Sequence, residues 1–320
     1  MGSETKNTSF LEQLAGYLLD KHGGDLGSIT VLFPNRRAGL FFRNYLSRQS
    51  DQAMWLPSIQ TISAFMEELS SYELAEPLQA SFELYKLYSG KQQNPVDFDE
   101  CFYQGEMMLR DFDDIDKYLV NANDLFTNIS DLKEVDNVFD YLTDEQKELI
   151  SRFWKFFDAP NLSGQKDSFL KVWKLLGPLY NELQDKLAGK GIAYEGMLYR
   201  DVAERIQRDG FVDISSDKVF ICGFNALNNA EKTVFRFLQQ SGKAEFYWDY
   251  DTSYIENQSM EAGRFLRSNL MDFPPDKDFD PGFNNLGKEK TLNVYSLPSD
   301  ILQAKFLYNK LEEEKDEDIK

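Results

Sequence analysis

The sequence predicts an α/β protein whose parallel sheet is interrupted by a large all-helical inserted domain. Three observations carry that class. Short apolar runs at Ile29–Phe33 and Lys218–Phe224 each pass directly into an amphipathic helix, the first half of a βα unit. Between about residues 74 and 208 the apolar spacing is helical and strand character almost vanishes. Strand and helix then alternate again through the rest of the sequence.

The elements follow in order. A first helix is expected over Phe10–His22, opened by Ser9-x-x-Glu12 and closed by Gly23-Gly24. The Ile29–Phe33 strand is stopped by Pro34 and Asn35, and Ala38, Phe41, Phe42 and Tyr45 give the next helix an apolar face. Ala53–Leu56, ended by Pro57, reads as a second strand, with Ile62, Phe65, Met66 and Leu69 starting the helix after it. Further helices are expected at Leu78–Leu87, Phe98–Leu119, Leu125–Leu132, Asp144–Phe157 and Phe169–Leu187, the last kinked at Gly177-Pro178, and at Glu195–Gln207. Strands return at Lys218–Phe224, Ala244–Asp249 and Thr291–Ser296. Helices follow on Ala230, Val234, Phe235 and Leu238, over Met260–Asn269, and from Ser299 or Asp300. This order divides the chain into a first α/β part (1–73), the helical insertion (74–208), a second α/β part (209–290) and the start of a further α/β segment (291–320). A helix after a strand normally returns to another strand, so the sequence reads as the N-terminal part of a longer protein.

Composition bounds the function. The chain has 320 residues, 42% of them hydrophobic and 14% aromatic, enough for one large core or two domains. A net charge of −19 opposes any autonomous, non-specific grip on nucleic acid, so such binding requires basic residues gathered locally or a partner that supplies them. No apolar stretch has the length of a membrane span and no leader pattern opens the chain. Cys101 and Cys222 read as reduced core thiols, which points to the cytoplasm. The single histidine, His22, excludes a His-rich metal site and reads as a cation near a helix C-terminus.

The residues that could carry chemistry are few. No Gly-x-x-x-x-Gly-Lys-Ser/Thr loop is present; Ser89-Gly-Lys91 and Ser241-Gly-Lys243 read as helix ends and turns. Val219-Phe-Ile221 has the apolar half of a magnesium-holding strand, but Cys222-Gly223 stands where the acids belong. No nucleotide or metal cofactor and no catalytic residue is therefore expected. Asp111-Phe-Asp-Asp-Ile-Asp116 lacks the glycine of a calcium loop and reads as a solvated helix face. Pro275-Asp276, Glu313-Glu-Lys315 and Asp318-Ile-Lys320 match fragments of a nuclease signature by chance. The candidate binding group is Asn35, Arg36, Arg37 and Arg43 at the first strand–helix junction, with Trp55 or Trp248 as stacking platforms. The competing reading pairs these arginines with nearby carboxylates. Trp154 and Trp173 read as core.

Four stretches in order carry a resemblance: Val31-Leu-Phe-Pro-Asn-Arg-Arg-Ala-Gly-Leu-Phe-Phe42, Asp111–Leu119, Val219-Phe-Ile-Cys-Gly-Phe-Asn-Ala-Leu227 and Tyr247-Trp-Asp-Tyr-Asp251. Together they resemble the N-terminal, helicase-like half of AddB/RecC-like proteins of the Bacteroidetes PD-(D/E)XK nuclease family. The resemblance implies a helicase motor-like parallel domain with a helical subdomain, in a protein that ends in an exonuclease domain. It implies work beside a helicase-nuclease partner subunit in the repair of double-strand DNA breaks. By the same resemblance Cys222 and Gly223 occupy a degenerate Walker B position, and Arg36 and Arg37 match the region that touches single-stranded or forked DNA. The chain departs from active helicases at both phosphate motifs, so a catalytically inactive module for DNA handling and subunit docking is expected. The alternative is an acidic protein-interaction scaffold without DNA contact.

Overall fold

The computed structural model describes residues 8–50, 52–91, 97–128, 162–279, 281, 283–289 and 291–314. Residues 1–282 and 283–320 form two compact units. The first unit is built on a four-stranded, wholly parallel sheet of β1 (Ile29–Phe33), β2 (Ser58–Thr61), β5 (Lys218–Cys222) and β6 (Ala244–Tyr247), in the order β2-β1-β5-β6. Every residue of β1 is buried, as a central parallel strand covered on both faces requires. Thr30 meets that demand by a 2.6 Å hydroxyl contact with Ser216.

Alternate residues feed two layers. Leu32, Val219, Ile221 and Phe246 join the core of α3 (Ile62–Leu69), α8 (Glu195–Asp209) and α9 (Asn229–Gln240). On the opposite face Phe33 packs on Phe42 of α2 (Arg36–Gln49), while Phe220 and Tyr247 meet His22 and Tyr17 of α1 (Phe10–His22). The outer edge of β6 is covered: Asp276 donates its backbone N–H to Phe246, and its carboxylate takes Lys21 Nζ at 2.5 Å.

Between β2 and β5 run α3, α4 (Pro77–Gly90), α5 (Phe98–Lys117), α6 (Ala122–Asn128), α7 (Leu162–Ala188) and α8. Leu84, Phe112, Leu179, Leu183 and Leu198 build a second core there. α8 serves both, giving Leu198 to this core and Val202 and Ala203 to the sheet-side core. α7 continues through Pro178 as one helix. The helix expected at Asp144–Phe157, Trp154 and residues 315–320 lie outside the described residues.

Several expectations are corrected. The second strand lies beyond Pro57, over Ser58–Thr61, not at Ala53–Leu56. There Trp55 exchanges backbone hydrogen bonds with Gly24 and Leu26 as an isolated bridge. The helical stretch contains strands after all: β3 (Glu73–Leu74) pairs in parallel with β4 (Ile192–Ala193). Two residues carry no periodicity, so only the pairing defines them. Helix α2 turns Gly39, Phe42 and Leu46 inward and leaves Phe41 49% exposed. The helix expected at Met260–Asn269 divides into a 3-10 turn and α11 (Arg264–Asp272), after a short α10 (Thr252–Glu256).

The second unit contains α12 (Asp300–Glu314). Thr291–Ser296 forms no strand: it has no ladder among the described residues, and Leu292 and Val294 are each 84% exposed. Tyr295 packs on Phe306 of α12 with ring centroids 4.5 Å apart.

Candidate functional site

The strand order reverses between β1 and β5, since β1 is followed outward by β2 and β5 by β6. Ligands in open parallel sheets bind at the carboxyl ends of such a pair. Leu32 stands opposite Ile221, so Pro34-Asn35-Arg36 and Cys222-Gly223 leave the sheet side by side. The structure thus brings together two of the sequence-predicted groups.

Asn35 is the N-cap of α2: its side-chain oxygen accepts the Ala38 N–H at 3.0 Å. Arg36 and Arg37 occupy the first turn, with no acidic residue beside them. Cations at that end oppose the helix dipole, which favours an anion there. Arg43 lies seven residues after Arg36, on the same face. Arg48, eleven residues after Arg37, continues the Arg37 row toward the far end of the helix; four like charges in a helix without a single Asp or Glu was the available signal for it. All four are exposed, and none forms an ion pair or hydrogen bond with a described residue. The carboxylate-pairing alternative is thereby removed for the described residues.

The other predicted residues divide. Trp55 is 77% exposed but bridges Asp25, ahead of β1. It therefore lies before the amino end of β1, while Arg36 lies beyond its carboxyl end, so the whole strand, about 16 Å long, separates their levels. Trp248 is 2% exposed and donates its indole N–H to the Phe273 carbonyl, so it is no stacking platform. Cys222 is fully buried, and burial pushes its thiol well up. Gly223 has φ +68° and donates its N–H to Tyr247. The Phe10 ring lies 3.7 Å from where a Gly223 side chain would begin, and it packs on Phe279. Aromatic rings close this strand end.

The acidic run does not form one solvated face. Asp116 is fully buried and accepts hydrogen bonds from Tyr180, Tyr194, Gln184 and Arg200. Burial pushes its carboxyl up, against the pull of these partners. The available signal was register: Asp116 lies four residues after Phe112 and eight after Met108, on the buried stripe. Asp113 accepts the Gly196 N–H and pairs with Lys117 at 2.7 Å. Lys117 also holds Glu195 at 2.5 Å, and Ser63 donates to the other oxygen of Glu195 at 2.6 Å. Nearby Glu231 closes a capping box with Asn228, and burial raises its carboxyl to about 7. This polar junction ties the starts of α3, α8 and α9 to α5.

Burial foremost, then Lys21, lowers the His22 pKa, which disfavours the cation expected there. Cys101 and Cys222 are both buried and unbridged. Among the described residues no cluster of three or more His, Cys, Asp or Glu is placed to hold a metal ion, and no helix is long and apolar enough to cross a membrane. No family model matches the chain, and no curated protein matches it significantly.

Proposed function

We propose that this chain is a catalytically inactive, helicase-like module of a helicase-nuclease acting in double-strand DNA break repair, where it handles DNA and docks to a partner subunit. The observation that carries the reading is the arginine group of α2: four exposed arginines without partners among the described residues, starting at the carboxyl end of β1, on a chain of net charge −19. Arginines left unpaired amid such an excess of carboxylates suit an anionic ligand. The missing phosphate loop and the aromatic closure over Gly223 support the loss of nucleotide chemistry.

Fluorescence anisotropy with labelled single-stranded and forked DNA across a salt series tests this. Wild type binds at low salt, and Arg36→Ala/Arg37→Ala weakens binding and flattens the salt slope by about 1.4, at roughly 0.7 per phosphate contact. Absence of binding by wild type, or equal binding by the variant, refutes the contact. ATP turnover above background refutes the inactivity.

A protein-interaction scaffold without DNA contact is the second reading. Leu40 and Phe41, 65% and 49% exposed among the arginines, favour it, because a phosphate backbone gives Leu40 no apolar surface to bury against.

A further inference from the structure

The helices between β3 and β4 hold a second cationic feature, separate from the α2 strip. Glu83 of α4 has a side chain only 4% exposed, and three ammonium groups converge on it. Lys190 Nζ donates to Oε1 at 2.7 Å and Lys86 Nζ to the same oxygen at 3.1 Å. Lys186 Nζ faces Oε2 at 3.0 Å as an ion pair without an aligned hydrogen bond. Lys86 lies one turn after Glu83 on α4, while Lys186 is in the last turn of α7 and Lys190, four residues on, is in the turn that follows it.

A buried carboxylate needs compensation, and one lysine supplies it. Three lysines against one glutamate leave two positive charges in excess, held close because two ammonium groups share a single oxygen. The neighbours do not cancel that excess. Glu182, one turn before Lys186, is already paired with Lys91 at 2.6 Å. Asp185 precedes Lys186 directly, so the two do not share a helix face. The lysine side chains stay 34–45% exposed, so N–H groups beyond those that Lys86 and Lys190 donate to Glu83 remain for a ligand, although Lys86 Nζ also lies 4.3 Å from the Phe82 ring centroid. Converging ammonium donors with spare N–H groups match an oxyanion of more than one charge.

We propose that Lys86, Lys186 and Lys190 form a phosphate-binding site, with Glu83 as the buried anchor that holds the three ammonium groups in one geometry. The Lys190 hydrogen bond foremost keeps the Glu83 carboxyl down to about 2, so the anchor stays ionised throughout the working pH range. The phosphate belongs either to a small phosphorylated molecule or to a nucleic-acid backbone; the site chemistry is the same.

Isothermal titration calorimetry of the whole chain with inorganic tripolyphosphate at low salt tests the site. Wild type takes up the probe, and Lys186→Met/Lys190→Met weakens uptake about tenfold or more. Because that variant strands Glu83 with one partner, the same changes are also combined with Glu83→Gln, which removes the buried charge, and folding is checked by thermal melting. Wild type that takes up no probe, or a folded lysine variant that binds as tightly as wild type, overturns the site. So does loss of uptake in Arg36→Ala/Arg37→Ala, which would move binding to α2. Single-stranded DNA distinguishes the source: a parallel loss of DNA affinity in the lysine variants assigns the phosphate to nucleic acid, and unchanged DNA affinity assigns it to a small molecule. The tripolyphosphate result stands by itself if the DNA reading of α2 fails.

Discussion

Asp116 and Glu231 show how burial changes the meaning of a carboxylate. Asp116→Ala would leave Arg200, Tyr180 and Tyr194 without their shared acceptor, and urea unfolding should register a loss of about 3–5 kcal/mol. Asp116→Asn keeps an acceptor for the tyrosines and should cost clearly less. Glu231, 8% exposed and facing Lys117, Glu195 and Asn228, has a folded pKa of about 7 against 4.5 for the ordinary group. The folded state therefore holds the extra proton between those values. The contribution is fully present below pH 4.5 and is lost as pH rises through 7, on the order of 3 kcal/mol. Glu231→Gln keeps the capping box and should flatten the stability–pH curve across that window, measured by denaturant unfolding at pH 5 and pH 8. In the sequence both residues look like ordinary surface acids. Only the register of Asp116 on the Phe112 stripe hints at its burial; nothing local hints at the environment of Glu231.

Among the elements, those with a cap and a full apolar face were legible, and those defined by a partner were not. α1, β1 and β5 stand within a few residues of their expected bounds, and α2 and α9 contain the residues expected to form them, because Ser9, Asn35 and Asn228 cap real helices and the strands are continuous apolar runs. β2 was misplaced because Ser58-Ile-Gln-Thr61 is a half-exposed edge with little apolar signal, whereas Ala53–Leu56 is apolar yet forms only the Trp55 bridge. The α2 face was misread by one position. Gly39 is the true contact, since a side chain there would begin 2.9 Å from Ile59. A tighter approach joins α5 and α8 at Gly196, where a Cβ would lie 2.8 Å from the Asp113 Cα and closer still to its carbonyl oxygen. Gly196→Ala should therefore destabilise by about 1–3 kcal/mol, seen as a lowered melting temperature, because backbone cannot yield as a side chain does.

In the whole molecule, distant pieces meet where sequence spacing is silent. Phe10, 4% exposed, joins α1 to the Gly223 turn and to Phe279 of the late loop. Phe10→Ala should cost about 3–5 kcal/mol in unfolding free energy and expose the β5 end to hydrogen exchange. The candidate binding residues were legible as a type: a basic group at a strand–helix junction without a phosphate loop. That Trp55 lies at the opposite end of the strands and that Cys222-Gly223 emerges beside Asn35 followed from strand pairing, and that Arg36, Arg37, Arg43 and Arg48 lack carboxylate partners among the described residues followed from side-chain placement. The sequence by itself determined the α/β class, the buried strands, the capped helices and the absence of phosphate motifs, because each is written in neighbouring residues. Tertiary structure decided which acids are buried, which lysines converge on Glu83 and which arginines stay unpaired among the described residues. Charge pairing depends on distance in space, and residues as far apart as Glu83 and Lys190 become neighbours only when helices pack.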